Sequence, residues 1–152
     1  MNQVCYDSLN RQAEALLGGE SNMIAAMANF SALINQTLPD LNWVGFYIKQ
    51  DEQLVLGPFQ GKVACARIPW GKGVCGTSAA TDSTLRVDDV HQFEGHIACD
   101  SASNAEIVIP VHHAGEVIAV LDIDSPLHNR FSADDQQGLE ILVKTLEIAL
   151  FA

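Results

Sequence analysis

The sequence predicts an α+β fold, in which a central antiparallel sheet is flanked by helices at its N- and C-terminal ends. Apolar residues recur at helical spacing in two segments near the start of the chain and in one at its end. Between these segments lie short aromatic and β-branched runs separated by glycine and polar turns, a pattern typical of strands. Helices and strands are thus segregated along the chain, which favours α+β, and the 152 residues fit one domain over 1–152.

The helix signals are specific enough to give boundaries. The first helix is predicted over residues 6–17, where Gly18 and Gly19 end it. The second runs from a cap at Ser21 to about Thr37. Its predicted apolar side consists of Ile24, Met27, Ala28, Ser31 and Ile34. The last helix opens with a capping-box variant, Ser132 followed by Asp135. Its predicted apolar stripe consists of Leu139, Leu142, Val143, Leu146, Ala149 and Leu150.

Strands are predicted for WVGFYIK (43–49), LVLG, VACARI and LRV (85–87), with GKGVCGTSAA forming a tight turn into a short helix. Two apolar runs joined across residues 113–116 indicate a hairpin. Residues 88–104 form a long predicted loop, and loops of this length in compact domains are usually functional. This loop carries Cys99.

Charge and composition exclude several functions. The formal net charge is −11, and no cluster of Lys and Arg could neutralise phosphates, so neither nucleic acid nor an anionic membrane surface is an expected partner. No apolar run is long enough to span a membrane, and the first residues do not resemble a signal peptide. The expected location is therefore the cytoplasm.

Four cysteines are candidates for chemistry: Cys5, Cys65, Cys75 and Cys99. A cytosolic cysteine is most often a small buried hydrophobe, and those that pair tend to be catalytic or redox-sensing. The last three are separated by nine and 23 residues, which does not match the short spacing of zinc ligands, so no metal site is predicted. His96 lies three residues before Cys99 and is a candidate base, although a surface histidine is the commoner case.

Carboxylates and aromatic rings form a second candidate group. Asp122 and Asp124 alternate with apolar residues at the end of a strand and therefore share one face. Across the predicted hairpin, Glu106 lies roughly opposite them. Two such partly buried acids raise the pKa of one another, which provides a proton donor or binds a cationic amine. Trp43 and Tyr47 also share a face, and Gly45 between them suggests an aromatic slot.

Four motifs carry a family resemblance: ACARIPWGKGVCG (64–76), VDDVHQFEGHIACDS (87–101), EIVIPV (106–111) and VLDIDSP (120–126). On these motifs the chain resembles the free methionine-(R)-sulfoxide reductases, single-domain enzymes of the GAF fold. The resemblance extends from NWVGFY (42–47) through the last helix. It implies reduction of the free amino acid L-methionine-(R)-sulfoxide to L-methionine.

The resemblance also implies a role for each matching residue. Cys99 matches the nucleophile, Cys65 the resolving cysteine, and Cys75 a third cysteine whose role is less settled; Cys5 lies outside the motifs. The implied substrate-binding residues are Glu106, Asp122, Asp124, Trp43 and Tyr47. The nucleophile would become a sulfenic acid, condense with a second thiol and be recycled by an external dithiol such as thioredoxin, without any cofactor.

Two questions stay open from the sequence. GAF domains often dimerise, so a homodimer is the implied oligomer, although no decisive exposed apolar helix face is visible. The alternative function is a GAF sensor that binds a small ligand or responds to redox state without turnover, and the missing output domain weakens it.

Overall fold

Four α-helices and six β-strands make up the part of the chain that this computed structural model describes, residues 4–99 and 101–152. In chain order they are α1 (Tyr6–Leu17), α2 (Met23–Thr37), β1 (Trp43–Gln50), β2 (Gln53–Gly61), β3 (Arg67–Pro69), α3 (Gly73–Thr81), β4 (Leu85–Val87), β5 (Ala105–His113), β6 (Glu116–Ser125) and α4 (Ala133–Phe151). A short 3-10 turn, Val90–Gln92, lies between β4 and β5.

All six strands form one antiparallel sheet in the order β3-β2-β1-β6-β5-β4. The neighbouring strands β5 and β6 form the predicted hairpin. Its turn is Ala114-Gly115, and both residues have positive φ, as a two-residue turn between twisted strands requires. The predicted antiparallel sheet and the α+β class are confirmed.

Helices α2 and α4 cover one face of the sheet, which we call the helix face, and α1 packs against these two helices. Val44, Phe46, Ile107, Leu121 and Ile123 point from the strands into this layer and are fully buried. The stripe of α4 meets them with Leu139, Leu142, Val143 and Leu146, while Ala149 and Leu150 are partly buried. The opposite face is covered by α3 and by two loops and carries the polar residues discussed below; we call it the site face.

Two details of α2 differ from the prediction. Its N-cap is Asn22, whose side chain accepts from the Ala25 amide at 2.9 Å, rather than Ser21. The buried side is also rotated: Ile24 is 67% exposed and Ala28 is exposed, whereas Phe30 is buried. The prediction was correct for Met27, Ser31 and Ile34, which are buried, and wrong for Ile24 and Ala28. Because α2 is apolar on most sides, its spacing alone does not select a face.

The predicted strand VACARI is only partly correct. Residues 62–66 are a loop, and pairing with β2 is restricted to Arg67–Pro69. Trp43 Nε1 donates to the Lys62 carbonyl at 3.2 Å, and Tyr47 OH donates to the Cys65 carbonyl at 2.9 Å. These side chains hold the segment over the site face, so its backbone groups are not available for a strand ladder.

The start of α4 is fixed by the predicted capping box and by a ring packed on its first turns. Asp135 closes the box with Ser132 and accepts from Tyr6 OH at 2.6 Å. The Tyr6 ring lies against Gly138, where an added Cβ would stand 2.2 Å from a ring carbon. Gly138 therefore allows α1 and α4 to approach.

Gly138→Ala should destabilise the protein, because the methyl group displaces Tyr6. Overpacking costs about 1–3 kcal/mol, and the better helix propensity of alanine returns up to about 1 kcal/mol. We expect a net loss of about 1–2 kcal/mol in urea unfolding. Gln137→Ala, at the exposed neighbouring position, is the control and should change stability by less than about 0.5 kcal/mol. An unchanged Gly138→Ala protein would mean that Tyr6 moves freely.

His112, near the end of β5, connects three elements of the fold. Its Nε2 lies 2.6 Å from Asp82 Oδ1 and its Nδ1 lies 3.2 Å from Glu147 Oε2. Partial burial alone would lower the pKa of His112, but the hydrogen bonds to Asp82 and Glu147 outweigh it and raise the pKa.

A raised histidine pKa gives a defined pH dependence. The stabilisation by His112 is fully present below the unfolded-state pKa, about 6.5, and is lost as pH rises through the higher folded-state pKa. The difference in unfolding free energy between wild type and His112→Ala should therefore be larger at pH 6 than at pH 9. A difference that is the same at both pH values would show that the ring acts by packing alone.

No helix in the described ranges combines the length and apolar character needed to cross a membrane.

Candidate active site

Three carboxylates meet on the site face of the central strands. Glu106 on β5 pairs directly with Asp124 on β6, and Asp122 lies two residues earlier on the same side of β6. Trp43 on β1 pairs with Asp124 from the other side. Neighbouring strands lie about 4.7–4.9 Å apart, so this register alone brings the three acids together.

These acids are buried, which sets their electrostatics. Glu106 is 7%, Asp122 5% and Asp124 9% exposed. Burial, and then the neighbouring carboxylates, raise the pKa of Glu106 and of Asp124 well above the usual range. Among the described residues, one oxygen of Asp122 and one of Asp124 have no hydrogen-bond partner. The cluster can hold a proton near neutral pH and can accept hydrogen bonds from a cation.

A disulfide lies above the acids. Cys65 and Cys99 are bonded, with their Cα atoms 5.3 Å apart, and they connect the loop 62–66 with the loop 88–104. Cys99 lines the same cavity as the three acids. The two cysteines are therefore close enough to exchange between thiol and disulfide states next to the carboxylates.

The aromatic pair lines the cavity and also supports the Cys65 loop. Trp43 and Tyr47 stack with ring centroids 5.8 Å apart, and their polar atoms hold the Lys62 and Cys65 carbonyls. The slot expected at Gly45 is filled, because Phe59 occupies the space where a Gly45 side chain would lie and stacks on Trp43 at 5.1 Å. Gly45 thus admits the neighbouring strand rather than a ligand.

Comparison with known proteins agrees with this geometry. Residues 30–150 match the GAF domain family. Free methionine-R-sulfoxide reductase of Escherichia coli is 54% identical over 145 residues, covering 95% of this chain and 88% of the relative. The chain belongs to the free methionine-R-sulfoxide reductase family.

Solved structures of free methionine-R-sulfoxide reductases also share the fold of this chain. The reduced form of fRMsr of Staphylococcus aureus superposes with a TM-score of 0.96 at 50% identity, covering 98% of this chain and 97% of the other. Free methionine-R-sulfoxide reductase from Neisseria meningitidis, in complex with its substrate, gives 0.92 at 38% identity over 98% and 95%. The predicted resemblance is confirmed.

Cys75, the third cysteine of the motifs, is buried and free, whereas Cys65 and Cys99 are bonded to each other. Cys75 on α3 is 4% exposed, and its Sγ lies 3.9 Å from Glu106 Oε2. Burial, and then Asp122, Glu106 and Asp124, raise the pKa of the Cys75 thiol well above its usual value. A thiol kept protonated is a poor nucleophile.

His96 lines the cavity together with Cys99, whose sulfur is joined to Cys65 in this state. Burial, and then the nearby His91, lower the pKa of His96 and favour its neutral form. It is therefore available as a proton acceptor on the same loop as Cys99.

Several residues that line the cavity were not predicted from the sequence. They are Ala64, Ile68, Gly73, Val74, Ile97 and Ser103. Ser103, which accepts from Asn42 Nδ2 at 3.1 Å, is buried at the end of the long loop. Its only sequence signal was its position in the loop three residues before Glu106.

Two groups of described side chains bring metal-ligating atoms within 4.8 Å of one another. One, Cys75 with Glu106 and Asp122, belongs to the cavity, and its raised thiol pKa opposes the deprotonation that metal binding needs. The other, Asp89 with His91 and His128, lies near the surface. Two predictions from the sequence remain untested: that the cysteines ligate no metal and that the protein needs no cofactor.

Proposed function

We propose that this protein reduces free L-methionine-(R)-sulfoxide to L-methionine, with Cys99 as the nucleophile. The observation that carries the proposal is the position of the Cys65–Cys99 disulfide at a cavity floored by three buried acids. Family membership adds independent support, since the Escherichia coli relative is named for this activity.

The acids favour a free amino acid over a methionine residue inside a chain. Only the free amino acid carries an α-ammonium group, and the unpartnered oxygens of Asp122 and Asp124 can accept its hydrogen bonds. The charge would also offset the like-charge repulsion among the carboxylates. Trp43 and Tyr47 offer ring surface to the thioether and methyl groups.

The chemistry transfers one oxygen atom. The Cys99 sulfur attacks the sulfoxide sulfur while a protonated carboxyl group of the cluster donates to the sulfoxide oxygen. Glu106 and Asp124 have the raised pKa that this donor needs. In the adduct the protonated oxygen moves as a hydroxyl group from the methionine sulfur to the Cys99 sulfur, and the new S–S bond breaks. Methionine leaves as the two-electron-reduced product, Cys99 becomes a sulfenic acid, and the carboxylate regains its proton when the next Cys99 thiol is deprotonated.

Cys65 is the proposed resolving cysteine. Its thiol condenses with the Cys99 sulfenic acid, a disulfide forms and water is released. The bonded state of the two residues supports this pairing, whereas burial and a raised pKa make Cys75 a weaker competitor. An external dithiol of the thioredoxin class then reduces the disulfide, and the 89% exposed Val63 leaves the Cys65 side open to such a protein.

The test is methionine formation with dithiothreitol as reductant. The free R epimer, the free S epimer and N-acetyl-L-methionine-(R)-sulfoxide are compared. We expect turnover of the free R epimer, and a loss of at least about 100-fold in kcat/KM for the acetylated compound, because it has no ammonium group. Binding of the free R epimer without turnover would favour the GAF sensor instead.

A further inference from the structure

Outside the cavity, the start of the long loop and the connection between β6 and α4 bring two imidazoles and a carboxylate together. His91 Nδ1 lies 2.9 Å from Asp89 Oδ1, and His128 Nε2 lies 3.7 Å from the same oxygen. All three ligand atoms fall within 4.8 Å of one another. The residues come from segments nearly 40 positions apart, so local spacing did not reveal the cluster.

The backbone already fixes these two segments to each other. The Asn129 amide donates to the Asp88 carbonyl at 3.0 Å, next to both ends of the cluster. Asp89 is itself held, because its side chain accepts from the His91 amide at 3.0 Å. The carboxylate is thus oriented by the fold, while the two rings, 63% and 54% exposed, can rotate to share a ligand with it.

From these contacts we infer that Asp89, His91 and His128 form a binding site for a divalent transition metal of the zinc type. Zinc–nitrogen and zinc–oxygen bonds of about 2.0–2.2 Å place the ligand atoms of a tetrahedral site about 3.4 Å apart, and the observed 2.9 and 3.7 Å bracket that value. The metal would replace the direct contact between His91 Nδ1 and Asp89 Oδ1. Its fourth position faces solvent and would hold water.

The site adjoins the catalytic loop. Asp89 and His91 begin the loop that continues through His96 to Cys99, and the His91 and His96 rings meet edge-on at 6.4 Å. A bound metal ion would join this part of the loop to the segment that follows Asp124. We expect local opening of residues 88–97 to become less frequent when the metal is bound.

The experiment is calorimetric titration of Zn²⁺ into the disulfide form of the full chain, in which Cys65 and Cys99 cannot ligate. We expect one site, weakened at least about tenfold in both His91→Ala and His128→Ala. His113→Ala, at an exposed histidine at the end of β5, is the matched control and should change affinity by less than about twofold.

A second measurement separates this site from the cavity cluster. With Zn²⁺, amide exchange over residues 88–97 should slow in the wild type and not in His128→Ala. Absence of one-site binding, an unchanged affinity in both histidine variants, or loss of the site in Cys75→Ser would overturn the inference.

Discussion

Cys99→Ser protein will form methionine from the free R epimer at least about 1,000-fold more slowly than wild type. Serine preserves the size of the side chain, but its hydroxyl group is a far weaker nucleophile than a thiol and cannot form the disulfide with Cys65.

Cys65→Ser should behave differently. It should release one methionine per protein in a rapid first turnover and then fall behind wild type with a thioredoxin reductant, because its sulfenic acid has no partner.

Rapid-quench measurement of methionine distinguishes the two variants. Cys5→Ser is the control, since Cys5 is an exposed free cysteine that does not line the cavity, and its rate should stay within about twofold of wild type. Substantial turnover by Cys99→Ser would show that a residue other than Cys99 is the nucleophile. Wild-type steady-state rates in Cys65→Ser would assign the resolving role to Cys75.

Glu106→Gln will lower kcat by about 100- to 10,000-fold while making the protein more stable at neutral pH. The amide cannot deliver the proton that the sulfoxide oxygen needs. The pKa of Glu106 is raised in the folded state by burial and by the adjacent acids. Stability linked to its protonation is therefore complete below the unfolded-state pKa and is lost as pH rises through the folded-state pKa. Glutamine does not ionise, so this loss disappears.

Two measurements check this prediction. The pH profile of wild-type kcat should fall on its alkaline side as the cluster loses its proton, and Glu106→Gln should lose or shift that limb. Thermal unfolding at pH 5 and pH 8 should show the gain in stability mainly at pH 8. Glu116→Gln, at an exposed position beside the hairpin turn, should change neither property. A wild-type kcat in Glu106→Gln would remove this residue from the proton-transfer step.

The site-forming strands could be read from sequence because strand geometry is regular. Alternation put Asp122 and Asp124 on one face, and the hairpin placed Glu106 roughly opposite them. The exact pairing of Glu106 with Asp124 also depends on a one-residue bulge at Ile118 in β6, which the sequence did not reveal. The helix ends with strong side-chain signals were equally accessible, as the capping box of Ser132 and Asp135 illustrates.

Other features depend on contacts between distant segments, which local patterns do not encode. The loop at Cys65 looked like a strand because its residues favour one, and only the hydrogen bonds from Trp43 and Tyr47 show why it is not. The space at Gly45 looked open until Phe59 of the neighbouring strand was placed there. The role of His112 was not predicted, because its partners, Asp82 and Glu147, are 30 and 35 residues away on either side.

The single turn between β5 and β6 also determines which changes this enzyme family can accept during evolution. Exchanging any one acid alters a rate or a specificity and leaves the helix face intact. Deleting one residue of β6 between its bulge at Ile118 and Asp124 would reverse every later side chain of that strand, bringing Asp124 among the helices and Ile123 into the cavity. Catalysis and folding would then fail together. Variation in the length of this hairpin is therefore expected only at its tip, around Ala114 and Gly115, while chemical diversity accumulates by substitution alone.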